Sequence, residues 1–384
     1  MKLFIPILFC LFITLTEQLA AQSTATPKPA VKEDSSAHTR TSRHGDTMQP
    51  GGSEYPSFHL VGFGDLNFSA ANDSSSKSGF NVGQFVLHFS SALSERVSFV
   101  GELSFTARAD AGTGSPSAAG FNAEVERAII RFDQSDYLKI SLGRYHTPIN
   151  WWNTAFHHGL WLQSTVSRPE MTRFGGQFIP VHFVGGLVEG ALPAAGLNLN
   201  YNVGLGNGRG SVISRAGDAG DNNDNRAWLV NLFVKPDALF GLQAGGSAYR
   251  DRITLANGHQ FEEWIWSGHL VWQKEDPEFI AEVANVQHTD VVTETVRNNL
   301  AYYVQLGYRL PVFENAFKLY ARYENMDINE TDEVFSALYD LKEYTAGVRY
   351  DISYFAAVKG EYRRYRLPGN YNVDAGYMQV CYTF

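Results

Sequence analysis

The sequence has little cysteine, little charge and, beyond its N-terminus, no long apolar run. Only 2 of its 384 residues are cysteines, and Cys10 lies within an apolar N-terminal segment. Removal of that segment would leave Cys381 alone, which excludes an intramolecular disulfide. Charged residues make up 18% of the chain. The later sequence lacks the roughly 20 consecutive apolar residues that a membrane-spanning helix needs, which excludes a helical membrane protein.

Aromatic residues and glycine are abundant instead. Aromatics reach 14% of the chain, there are 35 glycines, and the mean hydropathy is -0.22. Strands that alternate apolar and polar positions average to such a near-neutral hydropathy. The length is ordinary for one large barrel.

The first 55 residues are predicted to lie outside the folded domain. Lys2 precedes an apolar stretch over 3–15, and small residues follow at Ala20 and Ala21, so residues 1–21 are predicted to be a secretory signal peptide. Residues 22–55 are rich in Ser, Thr, Pro and charge and predict a disordered periplasmic arm. The alternative for this arm is a plug or a peptidoglycan contact.

Residues 56–384 show a repeat of two residues that is typical of β-strands. In the segment 97–106, Val97, Phe99, Leu103 and Phe105 share one face, while polar residues share the other. The pattern predicts an all-β protein, a transmembrane antiparallel barrel of about 16 strands. The predicted strands are 57–68, 80–91, 97–107, 122–133, 138–145, 179–190, 196–205, 227–234, 241–249, 261–273, 279–288, 299–310, 316–325, 343–351, 356–365 and 372–384.

The predicted connections alternate between short and long. Long ones cover 108–121, 146–178, 206–226 and 326–342, and short turns separate them. Short periplasmic turns and long outer loops are the organisation of outer-membrane barrels, and an even strand number puts both chain ends on the periplasmic side. The last strand ends on Phe384, which resembles the terminal aromatic that barrel-insertion machinery reads in outer-membrane proteins.

Three segments carry a more specific resemblance. They are 125–132 (VERAIIRF), 142–149 (LGRYHTPI) and 185–190 (GGLVEG). Their order resembles the porin superfamily that includes the phosphate-selective porin O/P proteins. The resemblance implies a passive channel for small hydrophilic solutes or anions in the bacterial outer membrane. It also implies that the channel needs no cofactor and assembles as a homotrimer.

By the same resemblance, the third long loop, 146–178, is the candidate pore constriction. Its candidate residues are His146, Trp151, Trp152, His157, His158, Arg168 and Arg173. The alternative is a packed outer loop with its tryptophans at the membrane rim. The family's phosphate selectivity rests on dense basic rings and on lysines in this loop. The loop here contains no lysine, so the sequence departs from the family at residues on which phosphate specificity depends.

Strand alternation predicts which charged residues face the lumen. The predicted basic wall consists of Arg127, Arg131, Lys139, Arg309, Lys318, Arg322, Arg349, Lys359 and Arg363, and the opposing acids are Glu102, Glu282, Glu324, Glu343, Asp351 and Glu361. A low-dielectric wall focuses the field of such charges, which favours a weak preference for anions. The alternative is that these charges pair across strands and only solvate the lumen.

Other chemistry is not indicated by the sequence. His157 and His158 supply too few ligands for a metal site, and the glycines of 204–210 lack the following helix of a nucleotide site. No nucleophile and base are expected within reach of each other, so no enzyme activity is predicted. No nucleic-acid partner is expected.

Two functions therefore remain open from the sequence. The first is a porin-like channel in the outer membrane. The second is a non-conducting barrel that displays its loops for adhesion or surface structure. In either case, outer-membrane lipid and lipopolysaccharide are expected partners. The acidic outer residues Asp327, Glu330, Asp332, Glu333 and Asp340 then serve surface solubility or contact lipopolysaccharide through divalent cations.

Overall fold

The computed structural model describes residues 55–384 apart from residue 75 and the segments 108–119, 157, 174–177 and 215–219. The predicted signal peptide, nearly all of the predicted arm and His157 lie outside the described residues. Within the described part, no helix is long and apolar enough to cross a membrane.

The chain forms a closed antiparallel barrel of 16 strands, each paired with its neighbour in sequence, so the predicted fold class and strand number are confirmed. The strands are β1 His59–Ala71, β2 Gly79–Ala92, β3 Val97–Ala107, β4 Phe121–Ser135, β5 Leu138–His146, β6 His182–Leu192, β7 Leu199–Asn207, β8 Ala227–Val234, β9 Leu242–Thr254, β10 Gln260–Gln273, β11 Glu278–Asp290, β12 Val296–Arg309, β13 Phe317–Asp327, β14 Leu341–Ser353, β15 Ala356–Leu367 and β16 Tyr371–Thr383. One short helix, α1 Trp152–Ala155, lies in the connection between β5 and β6.

The last strand closes the barrel against the first. Gly62 and Phe384 exchange backbone hydrogen bonds of 2.9 and 3.0 Å. The rings of Phe384 and Tyr382 lie directly over Gly62 and Gly64, where any Cβ atom would collide with them. Small residues on β1 therefore give the terminal aromatics of β16 a place to pack on the outer face.

The two ends of the barrel differ. One end, called here the turn end, carries the connections after β2, β4, β6, β8, β10, β12 and β14 together with both ends of the described chain. The opposite end, called the loop end, carries the connection 147–181 between β5 and β6. The predicted alternation in length is only partly right, because the loop-end connections 255–259, 291–295 and 368–370 are as short as the turns.

The outer face of the barrel is apolar, as the two-residue repeat predicts. Exposed apolar side chains on it include Leu66, Phe80, Ile140, Trp266 and Leu319. The inner face is more mixed than predicted. It carries buried charges, but it also carries an apolar cluster in which Ile253, Phe261, Ile265, Val271 and Ile280 contribute from β9 to β11. Such a surface needs a covering element, which the loop 147–181 supplies.

Candidate functional site: a loop anchored inside the barrel

The connection 147–181, called here the inward loop, crosses the barrel interior. Its first anchor is Glu282 on β11, whose Oε1 accepts hydrogen bonds from the backbone N–H groups of Trp151 and Trp152, both at 2.7 Å. These two groups begin the first turn of α1, where backbone N–H groups have no partner within the helix. A buried carboxylate from the far wall therefore caps α1 and fixes the start of the loop.

The middle of the inward loop is held by two basic side chains. Lys359 on β15 donates to the carbonyl oxygens of Leu160 and Thr165, the latter at 3.0 Å. Arg349 on β14 donates to the carbonyl oxygens of Trp161 and Gln163, the latter at 3.0 Å. These cations satisfy carbonyl groups that a non-helical segment leaves without a backbone partner.

The last part of the inward loop is held by Arg322 and Glu324 on β13. Arg322 donates to the carbonyl oxygens of Ser167 at 3.0 Å and Arg168 at 3.3 Å. Glu324 accepts from the backbone N–H of Glu170 at 2.6 Å. Burial lowers the pKa of the Arg168 guanidinium to about 9, against the opposing pull of the nearby carboxylates.

Apolar packing supports these polar anchors. Trp152 is fully buried, and its ring meets that of Tyr303 edge-on at 6.0 Å. Ile149, Met171 and Ile179 of the same loop are also buried in the apolar cluster. The loop thus covers the apolar inner surface of β9–β12.

The wall formed by β2–β6, across the barrel from β11–β15, binds the inward loop through histidines and carboxylates. Four imidazole Nε2 atoms face two glutamates: His88 lies 3.1 Å and His146 3.6 Å from Glu102, while His158 lies 3.4 Å and His182 2.8 Å from Glu126. Arg127 pairs with Glu102, and Arg144 lies 3.4 Å from Glu126. The described residues contain no group of three or more side chains in an arrangement that could hold a metal ion. The cluster therefore joins the loop to β2–β6 by ion pairs and hydrogen bonds.

A second connection, 328–340 between β13 and β14 and called here the cap loop, covers the inward loop. Its Phe335 is buried and stacks on Phe178 with ring centroids 5.5 Å apart. Asp332 accepts a hydrogen bond from His288 Nδ1 at 2.6 Å, and His288 Nε2 lies 3.0 Å from Glu263. Burial raises the pKa of Asp332, but the hydrogen bonds from His288 and Asn299 outweigh it and hold that pKa below its usual range.

Arg209 lies just after β7 in the sequence. It links Glu263, which contacts the cap loop through His288, to the inward loop. Its Nε lies 3.1 Å from Glu263, and it donates to the carbonyl oxygen of Phe178 at 2.8 Å. Its backbone N–H donates to Asp251 at 2.6 Å. The Arg209 guanidinium thus connects β10 to the inward loop, and its backbone N–H connects the same residue to β9.

Two cavities flank the inward loop and reach toward the turn end. One of about 690 Å³ is lined by the loop residues Trp161, Leu162 and Ser164 and by wall residues such as Arg309 and Lys318. The other, of about 410 Å³, is lined by the loop residues Pro148, Asn150 and Thr154. Trp151 lines both. These cavities are the space that the inward loop leaves beside it inside the barrel.

The predicted loop residues occupy different environments. Trp151, Trp152, His146, His158 and Arg168 are buried, whereas the Arg173 side chain is 66% exposed and pairs with Glu170.

The predicted basic wall divides into two sets. Lys318, Arg322, Arg349, Lys359 and Arg363 lie inside the barrel but are nearly buried, and each contacts a carboxylate or a loop carbonyl. Arg127, Arg131 and Arg309 line the cavities, and Lys139 lies between Asp133 and Glu189 in the strand register. Arg322, Arg349 and Lys359 of the first set hold the loop, whereas Lys318 and Arg363 pair with carboxylates of the wall. Lys318 and Arg349 also line the larger cavity.

Several residues of the site are not identified by the sequence. Glu126, His182, Arg209, Glu263 and His288 all belong to the buried networks that hold the two loops. Alternation could have placed Glu263 and His288 on the inner face. Their partners Asp332 and Arg209 lie in connections, whose paths no two-residue pattern describes.

Comparison with solved structures identifies the fold. The barrel is similar to an anion-selective porin from Comamonas acidovorans, with a TM-score of 0.61 and 13% identity over 86% of this chain and 100% of that chain. It is also similar to the outer membrane channel DcaP of Acinetobacter baumannii, with a TM-score of 0.58 and 10% identity over 86% and 97% of the two chains. It is similar as well to OmpF of Salmonella typhi, with a TM-score of 0.57 and 14% identity over 85% of this chain and 97% of that chain.

These likenesses are structural alone. No family model matches the chain, and no curated protein matches its sequence. None of these three structures is described as a phosphate-selective porin, so the narrower resemblance to the phosphate-selective porin O/P group stays a prediction. The fold of this chain is that of the bacterial outer-membrane porins.

Proposed function

We propose that the protein is a passive channel for small hydrophilic solutes in the bacterial outer membrane, narrowed by the inward loop. The observation that carries the proposal is the anchoring of this loop across a closed barrel, with cavities of about 690 and 410 Å³ beside it. The turn end then faces the periplasm and the loop end faces outward. A loop held in this way would set the size of solute that passes.

The charge distribution of the smaller cavity favours a weak preference for anions. Arg127, Arg131 and Lys235 line it, against one acidic residue, Glu189. Arg131 lies 3.6 Å from Glu189 and 2.7 Å from Asp133, so part of this positive charge is neutralised locally. The larger cavity has four basic and four acidic lining residues and carries no such excess. The preference is therefore expected to be small and to come from one side of the loop.

Phosphate specificity is not part of the proposal. The inward loop contains no lysine, and the arginines at its far wall already donate to loop carbonyls. A homotrimer, suggested by the sequence resemblance, is a further proposal that the mass of the detergent-solubilised protein would test.

Solute flux and ion selectivity test the proposed function. Liposomes containing the purified protein should swell in small sugars, and the rate should fall steeply as sugar size increases. In a potassium chloride gradient, the reversal potential should indicate a slight excess of chloride permeability. Arg131→Gln with Lys235→Gln should move that potential toward cation preference, whereas Arg96→Gln in an exposed turn should not. Cation preference in the unmodified protein would refute the electrostatic part of the proposal.

A closed barrel that displays its loops is the alternative function. It is favoured by one observation: the inward loop, the cap loop and the apolar inner surface fill much of the interior, and many inward charges are fully buried. A folded protein that gives no solute flux would support this alternative.

A further inference from the structure

The outer face of the barrel carries basic residues at its loop end. On β9 the inward residues Tyr249, Asp251 and Ile253 are buried, so Arg250 and Arg252 between them face outward. Both guanidinium groups reach the same atom, Glu262 Oε1 on β10, at 2.8 and 2.6 Å. Two cations share one carboxylate, so a positive charge remains on this part of the outer face.

Tryptophans fix the depth of this pair in a membrane. Arg250 lies directly between Trp228 on β8 and Trp264 on β10 in the strand register. The two indole rings meet edge-on at 5.2 Å, and Trp266 stacks on Trp264 at 5.4 Å. Tryptophan concentrates where acyl chains give way to headgroups. The guanidinium groups therefore lie at headgroup level, where an anionic group can reach them.

A second outward basic set lies at the same end on β14 and β15. Its members are Lys342, Arg364 and Arg366, with Arg366 over the Tyr344 ring at 5.3 Å. The carboxylate of Asp374 lies beside this set, 3.5 Å from Arg364. On β9, β14 and β15, the outward positions at the turn end are apolar or aromatic, as at Leu242, Tyr350 and Val358. Outward positive charge on these strands is thus placed at the outer leaflet.

We propose that Arg250 and Arg252 bind a phosphate group on the headgroup of an outer-leaflet lipid, the phosphorylated glycolipid of the outer membrane. Arginine forks donate two parallel hydrogen bonds to phosphate oxygens. A phosphate would neutralise the positive charge that Glu262 alone does not balance. The tryptophans would pack against the acyl chains of the same lipid. The inference concerns the lipid-facing wall and does not depend on conductance through the barrel.

The test measures lipid binding to the full-length protein in detergent. Diphosphoryl lipid A is the probe, inorganic phosphate is the competitor, and native mass spectrometry reads the bound fraction. Arg250→Gln with Arg252→Gln should weaken lipid A binding by about tenfold or more, since charge-assisted hydrogen bonds are lost. The control Arg96→Gln with Lys274→Gln removes the same charge from turn-end connections and should leave binding within about twofold of the unmodified protein, a difference well below one tenfold step.

Two outcomes would overturn the proposal. One is unchanged lipid A binding by the Arg250/Arg252 variant. The other is displacement of lipid A by millimolar inorganic phosphate, which would indicate a free-anion site. Both substitutions lie on the outer face, so folding is checked by heat-modifiable electrophoretic mobility. If the double variant does not fold, Arg252→Gln alone is measured, and it should weaken binding in the same direction.

Discussion

Glu282 holds the start of the inward loop. One of its carboxylate oxygens accepts two backbone hydrogen bonds at the start of α1. Hydrogen bonds to a charged group are worth about 1.5–3 kcal/mol each. Removing the carboxylate also leaves two buried N–H groups without a partner, so a substitution here should release the loop rather than unfold the barrel.

The change Glu282→Ala is therefore expected to loosen the inward loop. Single-channel recordings should show a larger and noisier open-channel current than the unmodified protein. Glu282→Gln keeps an acceptor oxygen and should lie between the two, while Glu95→Ala in an exposed turn should change nothing. An Ala variant with unchanged current and noise would show that Glu282 does not hold the loop.

A second prediction at the residue scale concerns Gly143, whose backbone conformation does not accommodate a side chain. It lies in the 142–149 segment with a φ of +140°, and a Cβ atom there would collide with the carbonyl oxygen of Ala128 on the paired strand. Gly143→Ala should destabilise the barrel by about 1–3 kcal/mol, the usual cost of such backbone strain. Gly376→Ala on β16, where a Cβ would meet nothing within 4 Å, is the matched control. Equal urea midpoints for the two variants would contradict this expectation.

At the scale of elements, the cap loop should respond to acid. Its Asp332 has a pKa held below the ordinary value of 3.8 by hydrogen bonds from His288 and Asn299, which outweigh burial. A carboxylate with a lowered pKa stabilises the folded state fully above its unfolded pKa, near 3.9, and loses that contribution as the pH falls through the folded value. The cap loop should therefore stay packed on the inward loop at neutral pH, and this packing should weaken below about pH 4.

Hydrogen exchange of the segment 328–340 measures this loosening. Exchange should accelerate as the pH is lowered below about 4, after correction for the intrinsic exchange rate. Asp332→Asn should show the fast exchange already at neutral pH, whereas Glu330→Gln in the same loop should behave like the unmodified protein. Slow exchange in Asp332→Asn would mean that Phe335 packing alone holds the cap loop.

The strands were predictable at this scale, but the contacts that the loops make were not. All 16 strands follow from alternation, with ends that differ by a few residues. Alternation also places Arg322, Arg349 and Lys359 inside the barrel. It cannot show that they donate to carbonyl oxygens of a loop more than 150 positions away in the sequence, because such contacts depend on the path of that loop.

Strand β10 shows why the inner face was predicted to be more polar than it is. Phe261, Ile265 and Val271 face inward, while Trp264 and Trp266 face outward, so both faces are apolar. The pattern alone does not reveal that one of these faces is covered by protein and the other by lipid. The inward apolar residues make sense only once α1 and the inward loop are packed against them.

For the whole molecule, the central claim is that the inward loop narrows the barrel without closing it. Single-channel recording of the unmodified protein in a planar lipid bilayer tests this most directly. The claim predicts discrete current steps of uniform size, which become larger in Glu282→Ala. A correctly folded protein that inserts into the bilayer and gives no steps, in either form, would contradict it.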